Sequence, residues 1–304
     1  MIIMGQKSSK DMAIGLVIFN PMESKRIMMN YLYVVNIFKQ QKLPVFTLEM
    51  VFKGREPEIP DAFHVRCNSF MFHKERMCRI LETLIPRKYK KIAFIDADVL
   101  FTNKNWYEET SALLDTHDVV QPFESCNWLD LTYTHITMTR PSALFMEGPT
   151  LDWRYHPGFG WAFRREWYKD VGFFDWAISG SGDTLSCAAW LKKEFPPGFK
   201  SLPPCQVPAF KDFLKLPTPR ITYTKGEVNH LYHGSKVNRQ YVERHGLVNT
   251  PHDIRKIIKI NYDGMFEWVN PHLWNPVLLS YFRDRYDDDL SEDLKLNSDR
   301  VLTS

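Results

Sequence analysis

The sequence predicts an α/β protein with a mostly parallel central sheet, helices on both sides and a C-terminal helical appendage. Three observations carry that reading. Apolar runs at residues 13–19, 43–52 and 92–95 lack a helical period, as strands buried on both faces do. Residues 24–41 and 72–84, between those runs, repeat apolar positions at helical spacing. The run 92–95 ends in two carboxylates, Asp96 and Asp98, and open α/β sheets present their ligands at the carboxyl ends of such strands.

Each element has its own justification. The first strand stops at Asn20-Pro21, and the helix that follows aligns Ile27, Tyr31, Val34, Val35 and Phe38 on one face. The second helix aligns Met77, Ile80, Leu81 and Leu84. The resulting β-α-β-α-β order argues for right-handed crossovers. Residues 106–114 read as a helix and 119–123 as a strand. Residues 124–155, rich in Thr and aromatic residues, read as an irregular loop or lid over a site. A turn at 156–160 enters the segment 161–163; short helices follow at 165–171 and 184–193, the second opened by a flexible stretch at 179–183. Residues 196–219 are a Pro-rich connector, 228–232 a late strand, and 238–244 begin a basic helical tail. No internal repeat is present.

Composition narrows the function classes. A chain of 304 residues accommodates one large α/β domain, or a core domain with an appendage. A net charge of +3 with no basic stripe argues against a nucleic-acid partner. No apolar stretch reaches transmembrane length, and the first residues lack the apolar core of a signal peptide, so a soluble cytoplasmic protein, with no integral membrane segment, is expected. Five cysteines without CxxC spacing suggest reduced thiols and no zinc site. Nine Trp residues provide either core or stacking surface for flat apolar faces such as sugars.

Several groups of residues could carry chemistry. Asp96 and Asp98 offer oxygen ligands to a hard divalent cation that in turn bridges phosphates. Asp183 follows Gly180-Ser181-Gly182, which lets backbone approach a ligand closely; the carboxylate suits a general base and equally suits an N-cap. His230 and His233 could complete a mixed oxygen–nitrogen metal site, and Lys236, Arg239 and Arg244 could meet phosphate oxygens. Lys74 and Arg76 could point to a diphosphate, or lie on a solvated helix face. His156 and Trp161 could form a stacking wall for a sugar, with core packing the alternative for Trp161.

The segments Phe72-His73-Lys74-Glu75, Asp96-Ala97-Asp98, His156-Pro157-Gly158-Phe159-Gly160-Trp161-Ala162, Gly180-Ser181-Gly182-Asp183 and His230-Leu231-Tyr232-His233-Gly234 occur here in one chain. In this order they resemble the metal-dependent, nucleotide-sugar-dependent glycosyltransferases of the GT-A (Rossmann-like) fold, in particular small viral and microbial sugar transferases. The resemblance spans roughly residues 13–245. It implies transfer of a sugar from a nucleoside diphosphate sugar, UDP above all, to a hydroxyl of a saccharide acceptor with Mn²⁺ or Mg²⁺ as cofactor. It implies Asp98 as direct metal ligand, with Asp96 on the ribose or reaching the metal through water. Either His230 or His233 would supply a further ligand. Phe19, Asn20, Pro21 and Glu49 would line the base and ribose pocket, with Lys74, Ala97, Lys236 and Arg239 on the rest of the donor. His156, Trp161 and Gly182 would face the acceptor, and Asp183 would act as base in an inverting displacement. Retention, nucleotidyl transfer and a catalytically dead carbohydrate-binding protein are the alternatives. The expected division is a catalytic domain at 1–249 and a helical extension at 250–304 packed on it.

Overall fold

A computed structural model describes residues 10–288; residues 1–9 and 289–304 of the expected domain ranges lie outside them. The chain begins β1 (Met12–Phe19), α1 (Lys25–Gln40), β2 (Val45–Phe52), β3 (Phe63–Cys67), α2 (Lys74–Leu84) and β4 (Lys91–Ile95). It continues β5 (Val99–Phe101), α3 (Trp106–Leu113), β6 (Val119–Gln121), β7 (Ser125–Leu129), β8 (Ile136–Pro141), β9 (Gly160–Arg164), α4 (Arg165–Asp170) and α5 (Gly182–Trp190). It closes with α6 (Val207–Phe213), β10 (Ile221–Tyr223), β11 (Glu227–His230), α7 (Ile254–Ile257), β12 (Ile258–Ile260), β13 (Phe266–Trp268) and α8 (Pro271–Asp284).

Seven strands form the central sheet in the order β10-β6-β9-β4-β1-β2-β3, and every strand but β9 runs the same way. This is the mostly parallel, helix-flanked sheet that the sequence predicts. Successive side chains of a strand face opposite sides of the sheet. On β4, Ala93 and Ile95 join the core beneath α1, while Ile92 and Phe94 join the core beneath α2. Both faces are covered, hence the unbroken apolar run. Ser24 caps α1 by accepting from the Ile27 amide, and Tyr31, Val34, Val35 and Phe38 are buried as their spacing requires.

β9 matters for function because it is reversed. Its lead-in, 156–159, arrives at the edge where β4 ends, with Gly160 opposite Ile95. A second sheet, β5-β11-β7-β8, places His230 opposite Val99, beside Asp98. The carboxyl end of β4 is thus the meeting point of segments distant in sequence.

The structure corrects several expectations. Residues 124–155 are irregular only in part: β7 and β8 pair there as an antiparallel hairpin, while 142–155 hold a 3₁₀ turn and loop. The Pro-rich connector contains α6, and 238–244 forms short 3₁₀ turns in place of a helix. The appendage is mixed, with the β12–β13 hairpin preceding α8. Ile254, Ile258, Phe266, Trp268, Leu278 and Phe282 from this segment share a core with Ile178, Leu185 and Phe210. No described helix is long and apolar enough to cross a membrane. All five cysteines are buried and unpaired.

One buried ion pair holds α2 to β9 and α4. Arg165, 6% exposed, donates to Glu82 Oε1 at 2.6 Å and to the carbonyls of Glu82, Ile85, Pro86 and Tyr89. It therefore satisfies the orphan carbonyls at the end of α2 as well as a buried carboxylate. Arg165→Met is expected to cost about 3–5 kcal/mol in urea unfolding, because buried Glu82 keeps only the exposed Lys169, 4.0 Å away, as counter-charge. A loss below about 1 kcal/mol, the range of an exposed pair, would refute that role.

Candidate active site

The segments that converge on the end of β4 line a cleft of about 590 Å³. Asp98, His230 and His233 meet on one side of it, their ligand atoms within 4.8 Å of one another. Asp98 Oδ2 lies 3.0 Å from His233 Nε2 and 3.6 Å from His230 Nε2, and the two Nε2 atoms are 2.9 Å apart. Asp98 Oδ1 is buried and has no hydrogen-bond partner among the described residues. Burial alone would raise the Asp98 carboxyl, but the two imidazoles outweigh it and hold the group well below the usual carboxylate range. Burial, with Arg239 close by, lowers His233 to about 4. Asp98 is thus held ionised between the two rings. One carboxylate, two imidazoles and an orphaned oxygen fit a divalent cation. Both histidines converge on Asp98. Arg239 clamps His233 by donating to its carbonyl at 2.6 Å and to its Nδ1, and is itself held by Asp287 at 3.0 Å.

Asp96 has a different partner. Lys74 Nζ lies 2.5 Å from Asp96 Oδ1 and 3.9 Å from Asp183 Oδ2. Burial disfavours the charge on Lys74, but Asp96 and Asp183 outweigh it and keep the amine protonated. Asp96 is thus tied to Lys74 and lies outside the Asp98–His230–His233 group. Asp183 sits in the first turn of α5 and does not cap it: the N-cap is Ser181, whose side chain makes no capping bond. Asp183 Oδ1 accepts from the Thr184 amide at 2.7 Å, leaving Oδ2 toward Lys74.

An aromatic floor separates these groups. His230 stacks on Phe159 at 4.5 Å and 15°, and Trp128 meets His156 edge-on at 4.8 Å. Phe159 holds a left-handed backbone, φ 73°, at the foot of the cleft. Burial lowers His156 well below its ordinary value, and its Nε2 has no partner. Lys236 lies 4.9 Å above the Trp128 ring.

Sequence reasoning missed Glu75. It is 6% exposed, lines the cleft and lies against the start of α5. A Cβ on Gly182 would fall 2.3 Å from its carboxyl carbon, so only glycine admits it there. Burial pushes Glu75 up to about 7 against the pull of Lys74, with Asp183 and Asp96 adding to the rise. Nothing local in the sequence marks this, because the shift comes from residues of three different segments.

Other expected site residues lie elsewhere. Phe19 packs among Phe52, Phe72, His73 and Phe282. Asn20 brackets Ser24, accepting from its amide at 2.8 Å, and the Pro21 carbonyl accepts from Arg55 at 2.9 Å. Glu49 accepts from the amides of Glu58 and Ile59. Asp288 covers the start of α1, accepting from the Lys25 and Arg26 amides and the Ser24 hydroxyl. These four residues lie outside the cleft at the end of β4, and Asn20 and Glu49 line a small separate pocket with Arg55 and Glu58. Trp161 is core, 1% exposed and edge-on to Trp190, so Trp128 and Phe159 take the aromatic place expected of it. Ala97 packs against the core beneath α1, Gly182 opens α5 without lining the cleft, and Arg76 pairs with Asp175.

No protein-family model matches the chain, and no curated protein does. Among solved structures it is similar to a variant of Drosophila β1,4-galactosyltransferase 7 in complex with manganese, UDP-Gal and xylobiose, with TM-score 0.41 and 14% identity over 88% of this chain and 98% of that one. It spans 64% of the catalytic domain of the same fly enzyme in complex with xylobiose. It is also similar to a glycosyltransferase involved in glycosylation of the major capsid of PBCV-1, with TM-score 0.31 and 11% identity over 77% and 98% of the two chains. A third likeness is to 4-diphosphocytidyl-2C-methyl-D-erythritol synthase from Anaerococcus prevotii, with TM-score 0.34 and 10% identity over 72% and 90%. These likenesses concern the fold.

Glu75 yields a pH prediction. Its folded value, about 7, lies above its ordinary 4.5, so the folded protein binds the extra proton and loses stability as pH rises between the two. Glu75→Gln removes that loss. The variant's advantage over wild type in thermal melts should be smallest near pH 4.5, grow to pH 7, and reach at most on the order of 3 kcal/mol. A pH-independent difference would show that Glu75 titrates normally.

Proposed function

We propose that the protein is a metal-dependent glycosyltransferase that moves a sugar from a nucleoside diphosphate sugar, UDP the leading candidate, to a hydroxyl of a saccharide acceptor. The observation that carries this reading is the separation, within one cleft, of the Asp98–His230–His233 cluster from the Asp183 carboxylate. A mixed oxygen–nitrogen donor set favours Mn²⁺ over Mg²⁺, which prefers oxygen ligands. Bound by Asp98, His230 and His233, such a cation would offset the charge that gathers on a leaving diphosphate.

The chain's own groups supply the remaining steps. Lys236 and Arg239, on the same side as the histidines, are placed to hold phosphate oxygens by charge-assisted hydrogen bonds. Lys74 neutralises Asp96, so that the carboxylate next to the cluster does not repel the donor. Trp128, His156 and Phe159 exclude water beneath the reacting sugar and offer it an apolar face. Asp183 Oδ2 takes the proton of the acceptor hydroxyl as that oxygen attacks C1. The C1–O bond to the diphosphate breaks on the opposite side, which inverts the anomeric centre. A positioned base of this kind contributes on the order of 10²–10⁴-fold.

Two substitutions test the division. Asp98→Asn is expected to abolish the dependence of UDP binding on Mn²⁺ in calorimetric titration. If UDP affinity ignores both the ion and Asp98, the metal assignment fails. Asp183→Asn should lower transfer by on the order of 10²–10⁴-fold, measured as nucleoside diphosphate release across a panel of sugar donors and acceptors, while UDP affinity stays near wild type. Retention of the donor's anomeric configuration in the product, read by NMR, would remove Asp183 from the base role.

A further inference from the structure

Arg244 reaches the cleft from the 243–246 turn and is only 8% exposed. A buried guanidinium normally faces a carboxylate. Among the described residues Arg244 makes no ion pair, and its Nε has no hydrogen-bond partner. Among the described residues its side-chain hydrogen bond is from Nη2 to Ser181 Oγ, at 3.3 Å. The group is held flat by aromatic rings, Phe72 at 4.8 Å and Tyr241 at 5.1 Å. Gly180, with φ 93°, makes room for it: a Cβ there would lie 2.8 Å from the guanidinium carbon. The side chain is therefore fixed in place without its charge being met.

The neighbourhood adds to the imbalance. Asp287 pairs with Arg239 and Arg285, each at 3.0 Å, and does not pair with Arg244. Burial lowers Arg285 below its usual value, and Arg239 and Arg244 lower it further, so the guanidiniums feel one another. Acidic groups nearby face other ways: Asp183 looks to Lys74, and Glu75 lies against Gly182, beyond Ser181 from Arg244. The position of Arg244 also separates it from the cations beside the metal cluster. Lys236 and Arg239 lie with Trp128 and His233, whereas Arg244 meets the loop that delivers Asp183.

We propose that Arg244, with the Ser181 hydroxyl, is a preformed receptor for a second anionic group, a phosphate, sulfate or carboxylate carried by the acceptor or the transferred sugar and distinct from the donor diphosphate. The planar fork presents parallel N–H donors to such a group, and the aromatic clamp removes the ordering cost of a free arginine. The assignment to the acceptor or sugar rests on the glycosyltransferase reading; the existence of the receptor does not.

Inorganic phosphate is the probe. It is titrated into the metal-free full-length protein by calorimetry, and again with UDP and Mn²⁺ at saturation. Wild type is expected to bind one phosphate, and Arg244→Gln to weaken it by about tenfold to a hundredfold, the worth of a hydrogen bond to a charged group. Arg244→Lys, which keeps the charge but loses the fork, should fall between the two. Should the glutamine variant melt early, Ser181→Ala provides the folded control and is expected to weaken phosphate severalfold. Phosphate affinity that persists with UDP and Mn²⁺ bound supports a separate anion. No saturable phosphate binding, equal binding by wild type and Arg244→Gln, or expulsion of phosphate by UDP with Mn²⁺ overturns the proposal. If UDP with Mn²⁺ does not bind at all while phosphate binds through Arg244, the glycosyltransferase reading falls and the receptor stands.

Discussion

Two carboxylates one residue apart at the end of a buried strand cannot share a single means of compensation, and the site is organised around that constraint. Like charges at this spacing raise each other's proton affinity unless each finds its own partner. Asp96 finds Lys74, from the first turn of α2, although burial and Asp98 keep its proton affinity above the ordinary value. Asp98 finds His230 and His233, from β11 and the turn after it, and keeps one oxygen unpaired. The β4 exit thus divides into a neutralised half and an unsatisfied half. A buried, unpartnered carboxylate oxygen is costly in isolation. Its persistence beside two converging imidazoles is what makes a cation the natural occupant.

The sheet topology follows from the same need. Parallel strands alone would bring only strand ends and the following helices to this edge. The reversed β9 adds its own beginning, and with it His156 and Phe159. Phe159 adopts a backbone conformation unfavourable for a bulky residue, and its ring then lies parallel to His230 at 4.5 Å. Such conformations cost on the order of 1–3 kcal/mol and persist where the surroundings over-determine them. Here the Asp96 amide, donating to the Phe159 carbonyl at 2.9 Å, ties that backbone to the carboxylate exit itself. The acid pair and its aromatic floor are one unit.

The parts legible in the sequence share a physical cause, and so do the parts that were not. β1, α1, β2, α2 and β4 are long or strongly periodic, and burial on a known face writes that period directly. β5 and β10 have three residues each, too few for any period, and β8 reads as loop because Thr137, Thr139 and Arg140 dominate a strand with little buried surface. The expectations for Asp98, Asp183, Lys74 and the His pair rest on residue type and order, and the fold brings these residues to one cleft. The setting of Phe19 follows from no local pattern. Phe282 and Asp288, more than 260 residues away, pack around β1 and the start of α1. The core place of Trp161, one of its two expected settings, likewise comes from the fold, which sets it against Trp190.

The loop Gly180-Ser181-Gly182 shows why the glycines around Asp183 are more than a flexible entry to a helix. On one side Gly180 gives way to the Arg244 guanidinium; on the other Gly182 gives way to the Glu75 carboxyl. Ser181 between them takes a left-handed conformation, φ 68°, and bonds both Arg244 and His245 through its hydroxyl. A side chain at either glycine would push a buried ionisable group out of place. The loop is therefore a mould with a cation on one face and a proton-holding acid on the other. Asp183, the next residue, inherits its orientation from both. That coupling makes the Asp183 carboxylate a property of the loop: its position is set by two ionisable groups that flank it, through backbone that only glycine can supply.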